Sequence, residues 1–493
     1  MVPLRVAEGA PLPPSLSRVA CDEVLRRLMR VSLRFPCSSH PVVSAALLAF
    51  LALLGSTSVA RSATAQSPAA SARADTLVLA LDDVRRLALE RSPTLLGVRQ
   101  ETAVARGALR QTRVLRSNPE LAIQSAGGAL GSAADQLQLT VLQEIEWAGQ
   151  RGLRSDAARL GLERASFGVQ DAGRLTIGEA SVGFFRAVAA DRRLAVAEEA
   201  LALGERLLVA VRIQVREGEI SRLEANLAEI ESGRARGRVL SARRAAASAE
   251  LEFKLLVGIG AETPLRLVTD TTASLITGLE ALSVDSLVAL ALVRRPDLAA
   301  TGEAVREAET LRALGRREAF PNLRIGVGGN RSPDDGSVQF GPAFGLTLPF
   351  FNRNQGLGDQ RRALVEQAQF ARRWALLRVE TDVIAAERAY RAAAEEARVY
   401  EREVLARAHE NAALLETAYG AGKIDLSTLL LLRNQLLDAE FGFWDAWLAQ
   451  REALVRLDAA TGRLTPSSAS LQPIDPAAVR ARDATTPIVR TTP

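Results

Sequence analysis

The sequence predicts a mostly α chain with a membrane β-barrel, built on a duplicated helix–strand–strand–long helix–helix unit. Three observations predict it. Similar segments recur at a near-constant offset of about 203 residues. Segments of roughly ten residues alternate apolar and polar side chains, the period of a strand with one wet and one apolar face. Two helical stretches of about sixty residues run without a proline, each long enough for about 95 Å of helix.

The repeat comes first, because it organises the rest. "LALDDVRRLALERSPTL" (79–95) matches "LSVDSLVALALVRRPDL" (282–298). Pro119, Leu121 and Ile123 meet Pro321, Leu323 and Ile325, and "GEIS" (218–221) meets "GKID" (422–425). The first unit is placed at 75–258, with strands at about 119–128 and 135–147 and long helices at about 152–215 and 221–257. The second is placed at 282–462, with strands at about 321–330 and 338–350 and long helices at about 356–418 and 425–461. Residues 259–281 read as a linker in an equatorial region, and 463–493 as a disordered tail rich in Pro, Ser, Thr and Ala.

Within the strands, Leu137, Leu139 and Val141 alternate with Gln136, Gln138 and Thr140, and Phe340, Phe344, Leu346 and Leu348 form one apolar side. An ordinary half-buried hairpin gives the same alternation, and the helices shift the balance. A helix of sixty residues cannot bury its own apolar stripe. Leu194, Leu201, Leu208 and Val215 recur every heptad with Ala197, Gly204 and Val211 between them; Leu429, Leu436, Phe443 and Leu457 do the same with Leu432, Ala439, Ala446 and Ala453, Gln450 being the exception in the series. These are coiled-coil seams, with small residues permitting close approach. Four strands cannot close a barrel in lipid, because their edges would be left unpaired. Several chains must then share one barrel, and closure implies a cyclic oligomer.

At the N-terminus, Arg30 and Arg34 precede an apolar run from Val42 to Leu54 and small residues around Ala60 and Ala65. Residues 1–65 read as an N-terminal extension and signal peptide, cleaved near 60 or 65, with Met29 as an alternative start. Cys21 and Cys37 fall before the cleavage, so the exported part has no thiol, and His409 is its only histidine. That composition points to no catalytic residue, no cofactor and no metal site. "GAGK" (420–423) fails as a phosphate loop, since Ile424 follows Lys423 where Ser or Thr is required. The 62 basic and 57 acidic residues are interspersed along helices, a pattern of solvated faces with no nucleic-acid partner.

These residues resemble the TolC-like outer membrane factor family over nearly all of 75–462. The resemblance rests on the duplicated unit, on the turns "VREGEISRLE" (215–224) and "YGAGKIDLSTLL" (419–430), and on the corner "LPFFNRNQG" (348–356). The corner is similar to that of the heavy-metal efflux branch, of the cobalt–zinc–cadmium type. The resemblance implies a homotrimer forming a twelve-stranded outer-membrane β-barrel, continued by a periplasmic α-helical barrel. The partners implied are a periplasmic adaptor protein, an inner-membrane RND pump and outer-membrane lipid. The activity implied is passive export, of divalent metal cations or alternatively of drugs or secreted polypeptide. A periplasmic coiled-coil scaffold without a pore is the competing reading.

The two turns are then the expected tip, where adaptor docking and gating occur. Gly218 and Gly422 suit a left-handed reversal, while Ser221 and Asp425 are placed to cap the next helix. Tyr419, Gly422, Lys423, Ile424, Asp425 and Thr428 in the second unit, with Gly218, Glu219, Ile220 and Ser221 in the first, are the candidate residues. The family pattern carries acidic residues further along the second tip helix, where this chain has Thr428 and Leu431. Asp425 is the candidate to replace them. Trp147 and the Pro349, Phe350 and Phe351 group occupy equivalent corners and suit a membrane–water interface. Asn354 faces water there, and Gly356 is expected to let the chain turn.

Overall fold

The computed structural model describes residues 76–126, 136–269, 282–332 and 336–471. The predicted signal peptide and cleavage sites, both cysteines and the end of the tail lie outside the described residues.

The first unit opens with a short strand, β1 (Leu77–Leu79), then α1 (Leu81–Arg91) and α2 (Pro93–Arg113). Pro93 sets the break between the two helices, since its ring is tolerated at the first helical position and not beyond it. Two strands follow, β2 (Glu120–Ala126) and β3 (Gln136–Ile145), and then α3 (Gln150–Glu217) and α4 (Arg222–Val257). A second short strand, β4 (Leu265–Leu267), pairs in parallel with β1. It lies in the stretch read as a linker. A three-residue strand has no period, so nothing in the alternation marks it.

The second unit repeats the order. It has α5 (Val284–Arg294), α6 (Pro296–Arg317), β5 (Leu323–Arg331), β6 (Val338–Leu346) and α7 (Gln355–Val399). The predicted long helix at about 356–418 is not uniform. A π-helical segment, Tyr400–Leu405, separates α7 from α8 (Ala406–Gly420). Opposite it, α9 (Leu426–Ala460) presents Gly442, where a Cβ would come within 2.6 Å of the Tyr400 ring. The wide turn and the missing side chain fit one another, and neither shows in the hydrophobic period. The predicted disordered tail also needs correction. Ser468–Leu471 forms a 3-10 turn, and Pro466 and Leu471 pack against Gly173 of α3.

Four strands form one antiparallel sheet in the order β2, β3, β5, β6. Its register sorts the side chains. Leu121, Val141, Val327 and Pro342 form one cross-strand row, and Ile123, Leu139, Gly329 and Phe340 the next row on the same face. The other face carries Ala122, Thr140, Gly328 and Gly341, flanked by Gln124, Gln138, Asn330 and Gln339. The apolar face is uncovered: Phe340 is 78% exposed and Phe344 75%. The sheet is open within the chain, and β2 and β6 each keep one unpaired edge.

The helices continue this order. α2 packs on α3, α3 on α6 and α6 on α7. The main core lies where α1, α3, α4 and α9 meet, around Phe184, Phe185, Phe253 and Trp447. Phe184 stacks edge-on against both Phe185 and Phe253. The seam residues Ala197, Leu208, Val211, Leu429, Ala446, Ala453 and Leu457 are all buried. Each unit also closes on itself by the same device. Gly258 ends α4 in a left-handed conformation against Arg91, and Gly462 follows α9 in the same conformation against Arg294.

Candidate functional site

Both predicted turns are built as helix reversals. Gly218 takes φ 78°, and the Glu219 amide donates to the Gln214 carbonyl at 2.9 Å. Gly422 takes φ 68°, and the Lys423 amide donates to the Ala418 carbonyl at 2.9 Å. Both are the closing hydrogen bonds of a helix C-terminus that glycine makes accessible. The next helix is capped at once. The Ser221 hydroxyl accepts from the Glu224 amide at 3.3 Å, and the Ser221 amide donates to the Glu224 carboxylate at 2.8 Å. Replacing Ser221 with alanine is expected to cost about 1 kcal/mol and to fray the start of α4, read by hydrogen exchange there.

The two turns lie together. Ile220 and Ile424 pack into one apolar cluster with Leu208, Val211, Ala228, Leu426 and Leu429. Tyr419 joins this cluster, and its hydroxyl donates to the Gln214 side chain at 3.3 Å. Burial and the charge of Glu224 push the Tyr419 phenol above its usual value, so it stays protonated as the donor. Gly218, Glu219, Ser221, Gly422, Lys423 and Asp425 remain exposed at the end of this cluster. Sequence reasoning missed Gln214 and the Arg212–Glu229 ion pair at 2.8 Å. Their signal was present only as polar residues one turn from the glycine.

Asp425 is the N-cap of α9. Its carboxylate accepts from the Thr428 amide at 3.1 Å and also from the Ser427 hydroxyl. The Ser427 hydrogen bond, with those from Thr428, holds the carboxyl at about 2, below the ordinary 3.8. A depressed carboxyl stabilises the fold above its unfolded value, and that contribution is lost as pH falls from about 4 towards 2. Acidification over that window is expected to speed hydrogen exchange at residues 426–429. In Asp425→Asn, which still caps but does not titrate, the acceleration should vanish; if it persists, another group is responsible.

At the corners, Trp147 lies 61% exposed beyond β3, donates from its indole to the Pro321 carbonyl at 2.8 Å, and meets Phe320 edge-on at 6.4 Å. Phe350 and Phe351 are exposed after β6, Phe351 at 95%. The chain does not turn at Gly356, which is the second residue of α7. Asn354 turns it instead, with φ 59°, as Gly149 does before α3 with φ 79°. Asparagine tolerates this region better than other side chains, and its amide donates to the Glu318 carbonyl at 2.8 Å. On the polar side of the sheet, Glu146 receives both arms of Arg154, at 2.6 and 3.0 Å. That contact holds the carboxyl below its usual range. A cavity of about 480 Å³ adjoins this side, lined by Glu120, Glu144, Arg324, Asn322, Pro349 and Asn354. No helix among the described residues is long and apolar enough to cross a membrane.

Comparison with known proteins follows the same outline. No curated protein sequence matches the chain. The solved structure of a membrane protein from Pseudomonas aeruginosa superposes with TM-score 0.66 at 20% identity, over 81% of this chain and 96% of the other. CusC, whose structures concern folding and transmembrane channel formation, superposes with TM-score 0.65 at 19% identity, over 78% and 92%. The CmeC outer membrane channel of Campylobacter jejuni superposes with TM-score 0.65 at 14% identity, over 90% and 98%. At such identities the likeness is one of fold. Residues 287–463, most of the second unit, match the outer membrane efflux protein family, and the described chain has the fold of outer-membrane efflux channels.

Proposed function

We propose that the chain is one protomer of a passive export duct: the outer-membrane channel of a tripartite efflux system, reaching into the periplasm. The observation that carries this is the sheet. Its apolar face is uncovered, its other face is polar and small, and both edges are unpaired. In water such a sheet is an aggregation site, whereas in lipid it is a barrel segment awaiting its neighbours. Three copies joined β6 to β2 make a twelve-stranded barrel. The paired helix turns then form the far end, where an adaptor and an inner-membrane RND pump engage. A periplasmic scaffold without a pore gives no reason for the exposed rows of Leu121, Val141, Val327 and Phe344.

Outer-membrane fractionation with a heat-modifiable trimer on electrophoresis is the expected result; recovery as a soluble monomer would end this reading. The "LPFFNRNQG" corner supports divalent metal cations as cargo, ahead of drugs or polypeptide. A deletion strain is expected to lose tolerance to zinc, cobalt, cadmium or copper. Unchanged tolerance would remove the metal cargo and leave the duct. Asp425→Asn is expected to lower single-channel cation selectivity severalfold, since its carboxylate is exposed at the tip and ionised at neutral pH. Unaltered selectivity would mean that other groups set it.

A further inference from the structure

Just beyond the aromatic corners the surface changes character. Arg316 and Arg317 end α6, about one turn before Phe320, and Phe320 stacks on Trp147. Arg353 follows Phe350 and Phe351, with Asn352 between. Arg113 ends α2 at the position equivalent to Arg316, and its carbonyl accepts from the Arg151 side chain. All five arginines are exposed, and among the described residues none forms an ion pair. Three carboxylates near these corners hold other arginines, while Glu144, on the polar side of the sheet, accepts from the Asn322 side chain. Glu146 is held by Arg154 and Arg116, Glu318 by Arg361 at 3.5 Å, and Asp359 by Arg362 at 3.1 Å. Exposed cations without an ion-pair partner therefore lie close in the chain to the aromatic corners, and these carboxylates do not neutralise them.

The place of these arginines gives the excess a meaning. Trp147 stands two residues beyond Ile145, which ends the odd-numbered row of β3 on the apolar face of the sheet. Moving off that face towards the helices, one passes from apolar rows to aromatic rings to guanidinium groups. A lipid leaflet has the same order: acyl chains, interface, phosphate. Arginine presents a planar donor fork that matches a phosphate oxygen pair, and its weak hydration suits a headgroup layer. Exposed arginines without a carboxylate partner also occur along the helices, as at Arg206 and Arg244; those at the corners are set apart by the aromatic rings and the apolar sheet face beside them.

We infer that Arg113, Arg151, Arg316, Arg317 and Arg353 form a phosphate-binding collar that grips anionic phospholipid headgroups of the periplasmic leaflet. This rests on the channel reading, because the sheet must sit in a bilayer for the collar to meet headgroups. The collar sets the depth of the barrel and resists its sliding along the membrane normal. It acts on lipid, separately from the cargo path and from the helix tips.

The test uses the full protein, extracted in a zwitterionic detergent. Phosphatidylglycerol is expected to raise the apparent unfolding midpoint by about 3 °C or more over phosphatidylcholine of the same chains. The triple substitution R316Q, R317Q and R353Q should abolish that difference and leave the phosphatidylcholine midpoint where it was. R362Q, which removes an arginine already paired with Asp359, should keep it. Equal stabilisation by both lipids, or a full phosphatidylglycerol increment in the triple variant, would overturn the collar. So would an equal shift from inorganic phosphate at the same concentration. In each of these cases a heat-modifiable membrane trimer would leave the channel intact, whereas recovery outside the membrane fraction would overturn both.

Discussion

Replacing Gly326 with alanine is expected to split the sheet and, on the channel reading proposed above, to lower recovery of heat-modifiable oligomer more than about tenfold. The cause is local. Gly326 faces Leu142 across the β3–β5 ladder, and an added Cβ would lie 1.8 Å from the Val141 carbonyl oxygen. Backbone cannot yield as a side chain can, so the two strands must part. This is the joint between the two repeat units, and every other strand pairing of the sheet lies within one unit. Gly341 serves as the control. It is on the same polar face, and nothing stands within 4 Å of its added Cβ. Gly341→Ala should assemble normally. Normal assembly of Gly326→Ala would show that the β3–β5 ladder yields there without parting.

The second large effect is expected at Gly258. Alanine there meets two penalties. The left-handed backbone at φ 73° costs about 1 kcal/mol for a residue with a Cβ. The Cβ also falls 2.6 Å from the Arg91 carbonyl, and forcing the helix away costs about 1–3 kcal/mol more. At Gly462, the equivalent position, the nearest atom is the Arg294 Cβ at 3.0 Å, so the penalty is smaller. At Gly218 the space is open and only the backbone term remains. The order of destabilisation should therefore be Gly258, Gly462, Gly218, read as apparent unfolding midpoints of the three alanine variants. Equal losses at all three would mean that the contacts with Arg91 and Arg294 carry no weight.

Much of the architecture is legible in the sequence because two strong periods carry it. The strand alternation through Leu137, Leu139 and Val141 and the heptads through Leu201 and Leu208 each persist for many residues. The repeat doubles the signal, so a weak match at Pro119 is supported by Pro321. Features that depend on a single residue or a short segment are lost. β4 is three residues long. The π-helical turn at Tyr400 depends on Gly442, forty-odd residues away. The reversal at Asn354 was assigned to Gly356 because glycine is the usual occupant of positive φ, and only the backbone reveals that asparagine took it. At the tip, the glycines and caps are readable as local chemistry. That Ile220, Ile424 and Tyr419 share one cluster is not, since they come from segments about 200 residues apart.

The contact of Gly258 with Arg91 also bears on the order in which the chain can fold. Together with the parallel pairing of Leu77–Leu79 and Leu265–Leu267, it ties the end of the first unit to its own beginning. Both ties lie within residues 77–267, so neither needs any of the second unit. The first half can therefore organise early, with only its strand edge at β3 and the Trp447 side of its aromatic core left waiting. Its helical parts can settle first, and the open sheet edge is completed last.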